Sequence, residues 1–386
     1  MIDPVPLDAF HREYYQKKAL KIFRGIPTFY HDLLTFKEID RLLSGQCLKF
    51  PQVRVVNYGL KEQPEASSYT IDGSTIDPEL YARQYAQGGT LAIAGLHDRI
   101  ASLGELCWQL SSYLSHPTQT NIYITPPHEQ GFRPHYDTHD VFILQVEGSK
   151  HWKLYDTPID LPLRSQPFEL GAIKEGAVSD EFILGPGDML YIPRGLMHDA
   201  HTTDEHSLHI TLGVLGYTWH DLLLHSVSTH ARNSASLRKN LPIGFLYDPE
   251  ARRDCAAIFQ GVVNELAASF APEQVLDFGT PNFRKDVRPV PRNVLDPRAL
   301  DRADVSLTTT IRVKKEVFLI MDRKADDIDL HTEGKVITVP AYLERILGFM
   351  STQDGFLVRD LPDDVDDPGK LVLIRRLLDE GILERM

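Results

Sequence analysis

A series of short β-rich segments between Asn121 and Leu215 constrains the fold more than any other feature of the sequence. Turn residues separate the segments, notably Gly148-Ser149 and Gly185-Pro186-Gly187-Asp188. A two-residue turn is typical of a β-hairpin, and many short strands with such turns are typical of antiparallel barrels and jelly rolls. We therefore expect an antiparallel β core with a hairpin at Gly148-Ser149. The segments are NIYIT, VFILQVE, KHWKLY, EFIL, MLYIP and HSLHITLGVL.

Helical patterns flank this core on both sides. Upstream, T-x-x-E at Thr35 to Glu38 predicts a helix that begins with a capping box, and Asp77-Pro78 predicts another helix start. GGTLAIAG predicts a short strand, and DRIASLGELCWQLSSYL predicts a helix. Downstream, DLLLHSVSTHA and RRDCAAIFQGVVNELAASF predict two more helices. The predicted fold class is α+β, with a double-stranded β-helix (jelly-roll or cupin) core and flanking helices.

The chain is long enough for more than one domain, because 386 residues exceed the roughly 100 to 200 that one core usually holds. We expect the β core with its helices over 1–218, a helical region and a Pro- and Arg-rich linker over 219–300, and a last domain over 301–386. In the last domain, TTTIRV, EVFLIM and KVITVP predict strands, and AYLERILGFM and KLVLIRRLLDEGILER predict helices. This content is similar to that of a winged helix.

Charge and cysteine content limit the classes of partner. The 54 acidic and 41 basic side chains give a formal net charge of -13, which argues against general binding to DNA or anionic lipid and permits a basic partner. Three widely spaced cysteines form neither a disulfide framework nor a thiolate zinc site, as in a reducing compartment. The sequence lacks an apolar run typical of a signal peptide or membrane span. We expect a cytoplasmic protein without a membrane partner.

Two histidines and one aspartate carry the strongest chemical signal. His135 and Asp137 are two residues apart, a spacing at which strand side chains point to the same face. His198 follows the bend Pro193-Arg194-Gly195, and antiparallel strands bring it opposite His135. Two imidazoles and a carboxylate on one face of a metal suit non-haem Fe(II) and oxygen chemistry. Zinc hydrolysis stays open, although no nearby residue is an evident general base.

Lys150 is the candidate cation for an anionic cosubstrate. It follows Gly148-Ser149, one predicted hairpin from the H-x-D pair. A 2-oxoglutarate molecule that chelates iron through its keto and adjacent carboxylate oxygens needs a buried cation for its far carboxylate, and Lys150 is placed to pair with it. Lys153 is the rival, but alternation places it on the opposite face. An exposed hairpin lysine is the other interpretation of Lys150.

Two stretches combine these features: HYDTHDVFILQVEGSKHWKLYDTP and LGPGDMLYIPRGLMHDAHTTDEHSLHITLGV. In order they contain the H-x-D pair, the lysine after a glycine turn, G-D-x-L-Y-x-P-R-G-x-x-H and S-L-H-x-T-L. This order resembles the JmjC/cupin-type ribosomal oxygenase family, and the resemblance covers roughly residues 20–215. Beyond that only the layout agrees, because the family also has a helical dimerisation region followed by a winged-helix-like end.

The resemblance implies that His135, Asp137 and His198 bind Fe(II), and that Lys150 holds 2-oxoglutarate, which is consumed with O2. It also implies polar contacts to cosubstrate or substrate, although each residue is equally compatible with a hydrogen-bonded place in the core. These contacts are Asn121, Tyr123 and Thr211.

For the other residues near these motifs, we expect positions outside the set of metal ligands. Four histidines offer alternative metal ligands, but we expect them at the rim of the site or behind the ligands: His139, His201, His206 and His209. Arg133 and Arg194 are able to steer an acidic group, although solvated or structural arginines are commoner. Trp152 is expected to pack beneath the predicted hairpin, with stacking on a substrate as the alternative.

By the resemblance, the protein is an Fe(II)- and 2-oxoglutarate-dependent dioxygenase that hydroxylates a side chain of a protein, with a basic ribosomal protein as the expected substrate. The alternatives are N-methyl-lysine demethylation, hydroxylation of another peptide and, from another class, a catalytically silent cupin scaffold or regulator. We also expect a homodimer through the helices of 220–275. Acidic residues outnumber basic ones in 305–386, so direct nucleic-acid binding is disfavoured.

Overall fold

The computed structural model describes most of the protein in two compact units. The described residues are 1–269, except 46–47, 61–62, 157–158, 170 and 172; 287; and 305–386, except 315–316, 318–319 and 333–334. The first unit comprises 1–216, the described part of 289–317, and 342–386. The second comprises the described parts of 217–288 and 318–341. Apart from residue 287, the predicted linker near 280–300 lies outside the described residues.

Eight strands form the central sheet of the first unit: β1 (Leu20–Ile22), β2 (Val53–Val56), β3 (Thr90–Ala94), β4 (Thr118–Thr125), β5 (Asp140–Tyr155), β6 (Val178–Leu184), β7 (Met189–Ile192) and β8 (His198–Val214). Their order is β1-β7-β5-β8-β4-β3-β2, and β6 pairs with β5. Every pair is antiparallel. The prediction of an antiparallel β core is confirmed.

The predicted hairpin at Gly148-Ser149 is wrong, because β5 continues through both residues as one strand. Instead of reversing, β5 shifts its register against β8 on both sides of Gly148. Gly148 has a φ of 61°, and a Cβ there would lie 1.6 Å from the carbonyl oxygen of His206. A glycine with positive φ occurs in β-bulges as well as in tight turns. The local sequence therefore does not separate the two.

The predicted turn at Gly185-Pro186-Gly187-Asp188 is confirmed and connects β6 to β7. The Asp188 N–H donates to the carbonyl of Gly185 (3.1 Å), and the Asp188 carboxylate accepts a hydrogen bond from the Gly185 N–H (2.9 Å). This turn lets β7 return along β5, which in turn brings the following bend and the start of β8 close to the residues that precede β5.

Alternation along β4 and β8 gives the sheet two chemically different faces. One face is apolar and belongs to the main hydrophobic core: Ile122, Ile124, Leu208, Ile210 and Leu212. The other face carries polar residues that line a cavity: Asn121, Tyr123, His209 and Thr211. Because strand side chains alternate, the core residues fix which residues reach the cavity.

Four helices pack on the apolar face: α1 (Leu7–Glu13), α2 (Phe36–Ser44), α3 (Pro78–Ala86) and α4 (Ala101–Leu114). The predicted starts of α2 and α3 are confirmed. Thr35 and Glu38 form the capping box of α2, and the Asp77 carboxylate accepts hydrogen bonds from the first turn of α3. Each helix contributes a buried side chain to the core: Phe10, Ile39, Tyr81 and Leu103.

The described part of the second unit contains two helices and a small sheet. The helices are α5 (Trp219–Asn233) and α6 (Pro249–Ser269), as predicted, and Glu265 of α6 accepts a hydrogen bond from Ser234 after α5 (2.7 Å). The strands are β10 (Ile320–Arg323), β11 (Asp327–Thr332) and β12 (Lys335–Pro340), paired in the order β10-β11-β12. β11 was not predicted.

The C-terminal residues of the first unit contain a three-stranded sheet and two helices. The strands are β9 (Thr310–Val313), β13 (Phe356–Leu357) and β14 (Leu383–Arg385), in the order β13-β9-β14, and the helices are α7 (Glu344–Thr352) and α8 (Asp367–Asp379). Arg312 and Glu384 form an ion pair across β9 and β14 (2.6 Å). Within the described residues, none of the helices is both long and apolar enough to cross a membrane.

Candidate functional site

The backbones of His135 and His198 hold the two imidazoles side by side. The His135 N–H donates to the carbonyl of His198 (3.1 Å), and the His198 N–H donates to the carbonyl of His135 (2.8 Å), so the predicted antiparallel pairing is confirmed. Asp137, however, lies in the segment between this bridge and β5 rather than on a strand. Its carbonyl accepts a hydrogen bond from Gly195 (2.9 Å), which ties the segment to the bend before His198. A bend, not strand alternation, brings Asp137 to the histidines.

The three side chains converge on one point. Their ligand atoms all lie within 4.8 Å of one another, and Nε2 of His198 is 3.7 Å from Oδ2 of Asp137. Nδ1 of His135 lies 2.8 Å from the carbonyl of Arg133, and Nδ1 of His198 lies 3.0 Å from the carbonyl of Leu196. A carbonyl accepts only an N–H, so both Nδ1 atoms carry the proton and both Nε2 lone pairs are available to a metal.

The electrostatics of this cluster favour the protonation states that a metal requires. Burial and the neighbouring His135 lower the pKa of His198 to about 4. Burial alone would raise the pKa of Asp137, but His135 and His198 outweigh it and lower that pKa. The site therefore presents a neutral imidazole and a carboxylate at neutral pH. Two histidines and one carboxylate on one face fit a non-haem iron centre. Among the described residues, no other set of three or more His, Cys, Asp or Glu side chains is similarly close.

Lys150 lies in the same cavity on β5 and is 5% exposed. Its ammonium has neither a hydrogen bond nor an ion pair with any residue in the described part of the protein, and burial lowers its pKa to about 7. Lys153 lies on the outer face, where it is 3.6 Å from Glu181. The predicted difference between the two lysines is thus present. A buried cation without a counterion fits an anionic ligand.

The three residues that the resemblance implies as polar contacts to cosubstrate or substrate lie on the cavity face of β4 and β8. Asn121 pairs with Thr211, and Tyr123 pairs with His209, in the register of these strands. All four line the cavity, and burial raises the pKa of Tyr123 above its ordinary value. The structure therefore brings Asn121, Tyr123 and Thr211 into the same cavity as Lys150 and the three potential metal ligands. The cavity has a volume of about 220 Å³.

Two predictions about surrounding residues are wrong. Trp152 does not pack beneath a hairpin but lines the cavity, with its ring centroid 6.0 Å from that of His198. His209 lies neither at the rim nor behind the metal ligands, because it is buried inside the cavity and stacked on Tyr123 (5.1 Å). The alternation of S-L-H-I-T-L contains the signal for His209, because it is two residues from Thr211 and must share its face.

The remaining candidates lie around the site or outside it. His139 lines the cavity beside Gly213. His201 packs on His151, with ring centroids 4.7 Å apart, and neither residue lines the cavity. His206, 43% exposed, lies 3.9 Å from Glu147. The Arg133 guanidinium lies over the ring of Tyr58 (5.1 Å), and Arg194 is partly buried. Of these, only His139 joins the cavity.

Known proteins resemble this chain in sequence and in fold. Residues 96–222 match the JmjC domain family. The bifunctional lysine-specific demethylase and histidyl-hydroxylase NO66 of Aedes aegypti is 30% identical over 307 residues, which cover 75% of this chain and 48% of NO66. NO66 of Drosophila grimshawi is 33% identical over 257 residues, covering 63% and 34% respectively. The chain spans about half, or less, of the length of these curated relatives.

Solved structures share the fold at low sequence identity. The Escherichia coli ribosomal oxygenase YcfD is 16% identical, with a TM-score of 0.58 and coverage of 99% of this chain and 98% of YcfD. YcfD in complex with cobalt and 2-oxoglutarate has a TM-score of 0.56 at the same identity and coverage. At this identity the likeness shows the JmjC/cupin fold. Residues 96–222 therefore form a JmjC domain, and the chain is similar to NO66 in sequence and to the ribosomal oxygenase YcfD in fold.

Proposed function

We propose that this protein is an Fe(II)- and 2-oxoglutarate-dependent oxygenase that hydroxylates an amino-acid side chain of a protein. One observation carries the proposal: a single cavity holds His135, Asp137 and His198 together with the ammonium of Lys150, which has no partner among the described residues. A metal-chelating dicarboxylate fits both parts of this arrangement. A zinc hydrolase would use the three ligands but has no role for the buried cation.

Two hydrogen bonds prepare the metal site before a metal binds. When bound, Fe(II) together with O2 and 2-oxoglutarate supplies the oxidation of an unactivated C–H bond, with succinate and carbon dioxide as coproducts. His135, Asp137 and His198 would hold the ion on one face and leave the other positions for ligands. The carbonyls of Arg133 and Leu196 orient the two rings, so Nε2 of each points to the shared centre.

Lys150 and the polar face of β4 and β8 would hold the cosubstrate. The ammonium of Lys150 pairs with the far carboxylate, which restores the charge balance of a buried site. Asn121, Tyr123 and Thr211 supply polar atoms on the same cavity wall. YcfD in complex with cobalt and 2-oxoglutarate shares this fold, which supports the same ligand classes here.

Apolar walls give the site its second property, which is exclusion of water. Ile143, Trp152 and Phe132 line the cavity beside the polar residues. They hold a target carbon near the metal and keep bulk water from the reacting atoms. No side-chain nucleophile is required, because the metal centre carries the oxidation.

The substrate is the part of the proposal that the relatives inform. YcfD is described as a ribosomal oxygenase, and NO66 as both a lysine-specific demethylase and a histidyl-hydroxylase. We propose a basic protein, with ribosomal proteins first, and the net charge of -13 suits such a partner. Demethylation of N-methyl-lysine is the second candidate, and the NO66 relatives favour it. In either case the oxidised group would be an aliphatic carbon of an amino-acid residue.

We also propose that the protein forms a homodimer. Helices α5 and α6 expose large apolar side chains, including Trp219 (77% exposed) and Phe259 (67% exposed), which supports a homodimer through this region. We further propose the functional division into 1–218, 219–300 and 301–386, with the last part as a winged-helix-like domain for protein contacts rather than nucleic-acid binding, and a cytoplasmic location.

The test is turnover of 2-oxoglutarate with candidate substrates. Ribosomal proteins are incubated with the enzyme, Fe(II) and 2-oxoglutarate under air, and succinate and intact protein masses are measured. Hydroxylation adds one oxygen atom to a substrate, whereas demethylation removes one CH2 group per cycle. Asp137→Ala is the matched control. Absence of succinate, together with absence of Fe(II)-dependent 2-oxoglutarate binding, would favour the catalytically silent scaffold.

A further inference from the structure

Six aromatic rings form a closed circuit around the cavity. Each ring contacts the next, with centroid distances from 4.6 to 6.0 Å. All six residues line the cavity. His135 and His198 are neighbours in the circuit, and the pair on the opposite side consists of His209 and Tyr123. In order, the rings belong to His135, His198, Trp152, His209, Tyr123 and Phe132.

His209 is buried in this circuit, and its Nδ1 lacks a hydrogen-bond partner in the part of the chain that the structure describes. It is 4% exposed, its ring stacks on Tyr123 at 28°, and it meets the Trp152 ring edge-on at 73°. Its Nδ1 is buried and has no hydrogen-bond partner among the described residues. Buried polar atoms without partners are rare, because each loses its hydrogen bonds to water on folding. The packing on Tyr123 and Trp152 explains why an aromatic ring is buried here, but it does not explain why that ring carries polar nitrogen atoms.

The charge state of His209 adds a second constraint. Burial, reinforced by the nearby Lys150, holds the pKa of His209 well below its ordinary value. The imidazole is therefore neutral and offers one N–H donor and one lone pair. A neutral donor beside an ammonium suits one shared anion, because two adjacent cations would repel each other before the anion binds.

We propose that His209 donates its ring N–H to the far carboxylate of the cosubstrate, beside the ammonium of Lys150. The inference rests on the proposed function and extends it, since it assigns a binding residue to the side of the cavity opposite the metal ligands. A dicarboxylate that reaches from His135 and His198 across the circuit meets His209 on the other side. Binding of the carboxylate then supplies the partner that His209 lacks in the described structure.

The experiment compares two histidines of β8 that face in opposite directions. His209 lines the cavity, whereas His201 packs on His151 outside it. We would prepare His209→Phe, which keeps an aromatic ring but removes the donor, and His209→Gln, which retains a donor. His201→Phe is the matched control, with the same substitution on the same strand. The affinities for Mn(II), and then for 2-oxoglutarate with Mn(II) bound, are measured by calorimetry in the full-length protein.

We expect the substitutions at position 209 to change the affinity for 2-oxoglutarate and not the affinity for Mn(II). His209→Phe should weaken 2-oxoglutarate binding by about 10- to 100-fold, the range for loss of a hydrogen bond to a charged group. His209→Gln should stay within a few-fold of wild type, His201→Phe should match wild type, and Mn(II) affinity should be the same in all four proteins. A purely structural role would predict equal losses for both substitutions at position 209.

The outcomes separate this inference from the proposed function. If the wild type binds 2-oxoglutarate and His209→Phe binds it equally well, the inference is overturned while the proposed function survives. If the wild type does not bind 2-oxoglutarate, the proposed function falls and the inference falls with it. Should His209→Phe not fold, the wild type labelled with 15N-histidine and loaded with Zn(II) provides a second test. A protected ring N–H that appears with 2-oxoglutarate, and is absent from His209→Gln, supports the inference; no such signal overturns it.

Discussion

Strands β5 and β8 carry lysine and histidine on both faces, but the burial of these side chains and their polar partners differ between the two faces. On the outer face, His151 and Lys153 lie 3.1 and 3.6 Å from Glu181 and are partly exposed. On the inner face, Lys150 and His209 are almost fully buried and have no hydrogen-bond or ion-pair partner among the described residues. Lys153 and His151 thus have a carboxylate partner on the outer face, whereas Lys150 and His209 have none among the described residues on the inner face. The comparison shows that environment, and not residue type, marks the ligand site.

The paired lysine outside and the buried lysine inside contribute differently to the stability of the fold. A partly exposed ion pair such as that of Lys153 contributes little to stability, because water already solvates both charges. A buried ammonium without a counterion opposes folding, and its lowered pKa reports that cost. A protein that keeps such a group in a cavity lined by metal ligands has an arrangement that an anionic ligand would stabilise.

Removal of a metal ligand on the inner face should have the largest effect. Asp137→Ala leaves two imidazoles, and without the carboxylate the site loses both a ligand and its negative charge. We expect no measurable Mn(II) or Fe(II) binding and no turnover. His201→Ala, on the outer face of β8, should bind metal like the wild type. Calorimetric metal titration of both variants checks the contrast, and equal affinities would contradict the assignment of the ligands.

Gly148, at the point where β5 shifts register against β8, should be the next most sensitive position. In Gly148→Ala, the new Cβ would meet the carbonyl oxygen of His206, and the positive φ would be strained as well. We expect a loss of about 3 kcal/mol in the free energy of unfolding. Gly73→Ala is the control, since Gly73 also has positive φ but no atom of the described residues lies within 4 Å of its Cβ position. Its loss should be about 1 kcal/mol. Similar denaturation midpoints for both variants would contradict the role of the bulge.

Lys150 should determine the affinity for 2-oxoglutarate without affecting the metal. Lys150→Met retains the aliphatic stem but removes the charge, so we expect about 100-fold weaker 2-oxoglutarate binding and unchanged Mn(II) binding. The matched variant Lys153→Met, on the outer face, should leave both affinities unchanged. The measurement is the dissociation constant of 2-oxoglutarate with Mn(II) bound. An effect of Lys153→Met as large as that of Lys150→Met would remove the distinction between the two faces.

The pH dependence should be the smallest of these effects. Burial lowers the pKa of Lys150 to about 7 in the ligand-free cavity, and the bound carboxylate requires the ammonium. Above this pKa, binding must take up a proton, so affinity for 2-oxoglutarate should fall by up to about tenfold per pH unit; below it, the Lys150 contribution should be flat. Lys150→Met should abolish this dependence above pH 7. A wild-type affinity that rises with pH in this range would have the wrong sign.

Local patterns in the sequence predict much of this arrangement. The helix starts at Thr35 and Asp77 and the turn at residues 185–188 depend on short-range spacing, and the structure contains them. The same patterns fail at Gly148, where a bulge and a hairpin require the same backbone conformation. The grouping of strands β10–β12 with α5 and α6 depends on contacts between distant segments, which short-range patterns do not contain.

In the site, too, local patterns predict some residues, whereas others depend on contacts between distant segments. Lys150 and Thr211 follow from alternation once the direction of each strand is known, and His209 follows from Thr211 by the same rule. Trp152 could not be placed correctly, because its position depends on β5 continuing past Gly148 into the cavity wall. Asp137 reaches the histidines through a bend held by Gly195, a contact that no local spacing predicts.

The most direct test of the central claim is an anaerobic absorption titration of the wild-type protein with Fe(II) and then with 2-oxoglutarate. We predict a metal-to-ligand charge-transfer band that saturates at one cosubstrate per protein molecule, disappears in Asp137→Ala, and requires far more 2-oxoglutarate in Lys150→Met. A wild-type protein that binds Fe(II) and 2-oxoglutarate without this band, or binds neither, would contradict the claim that the three ligands and the buried lysine form one site.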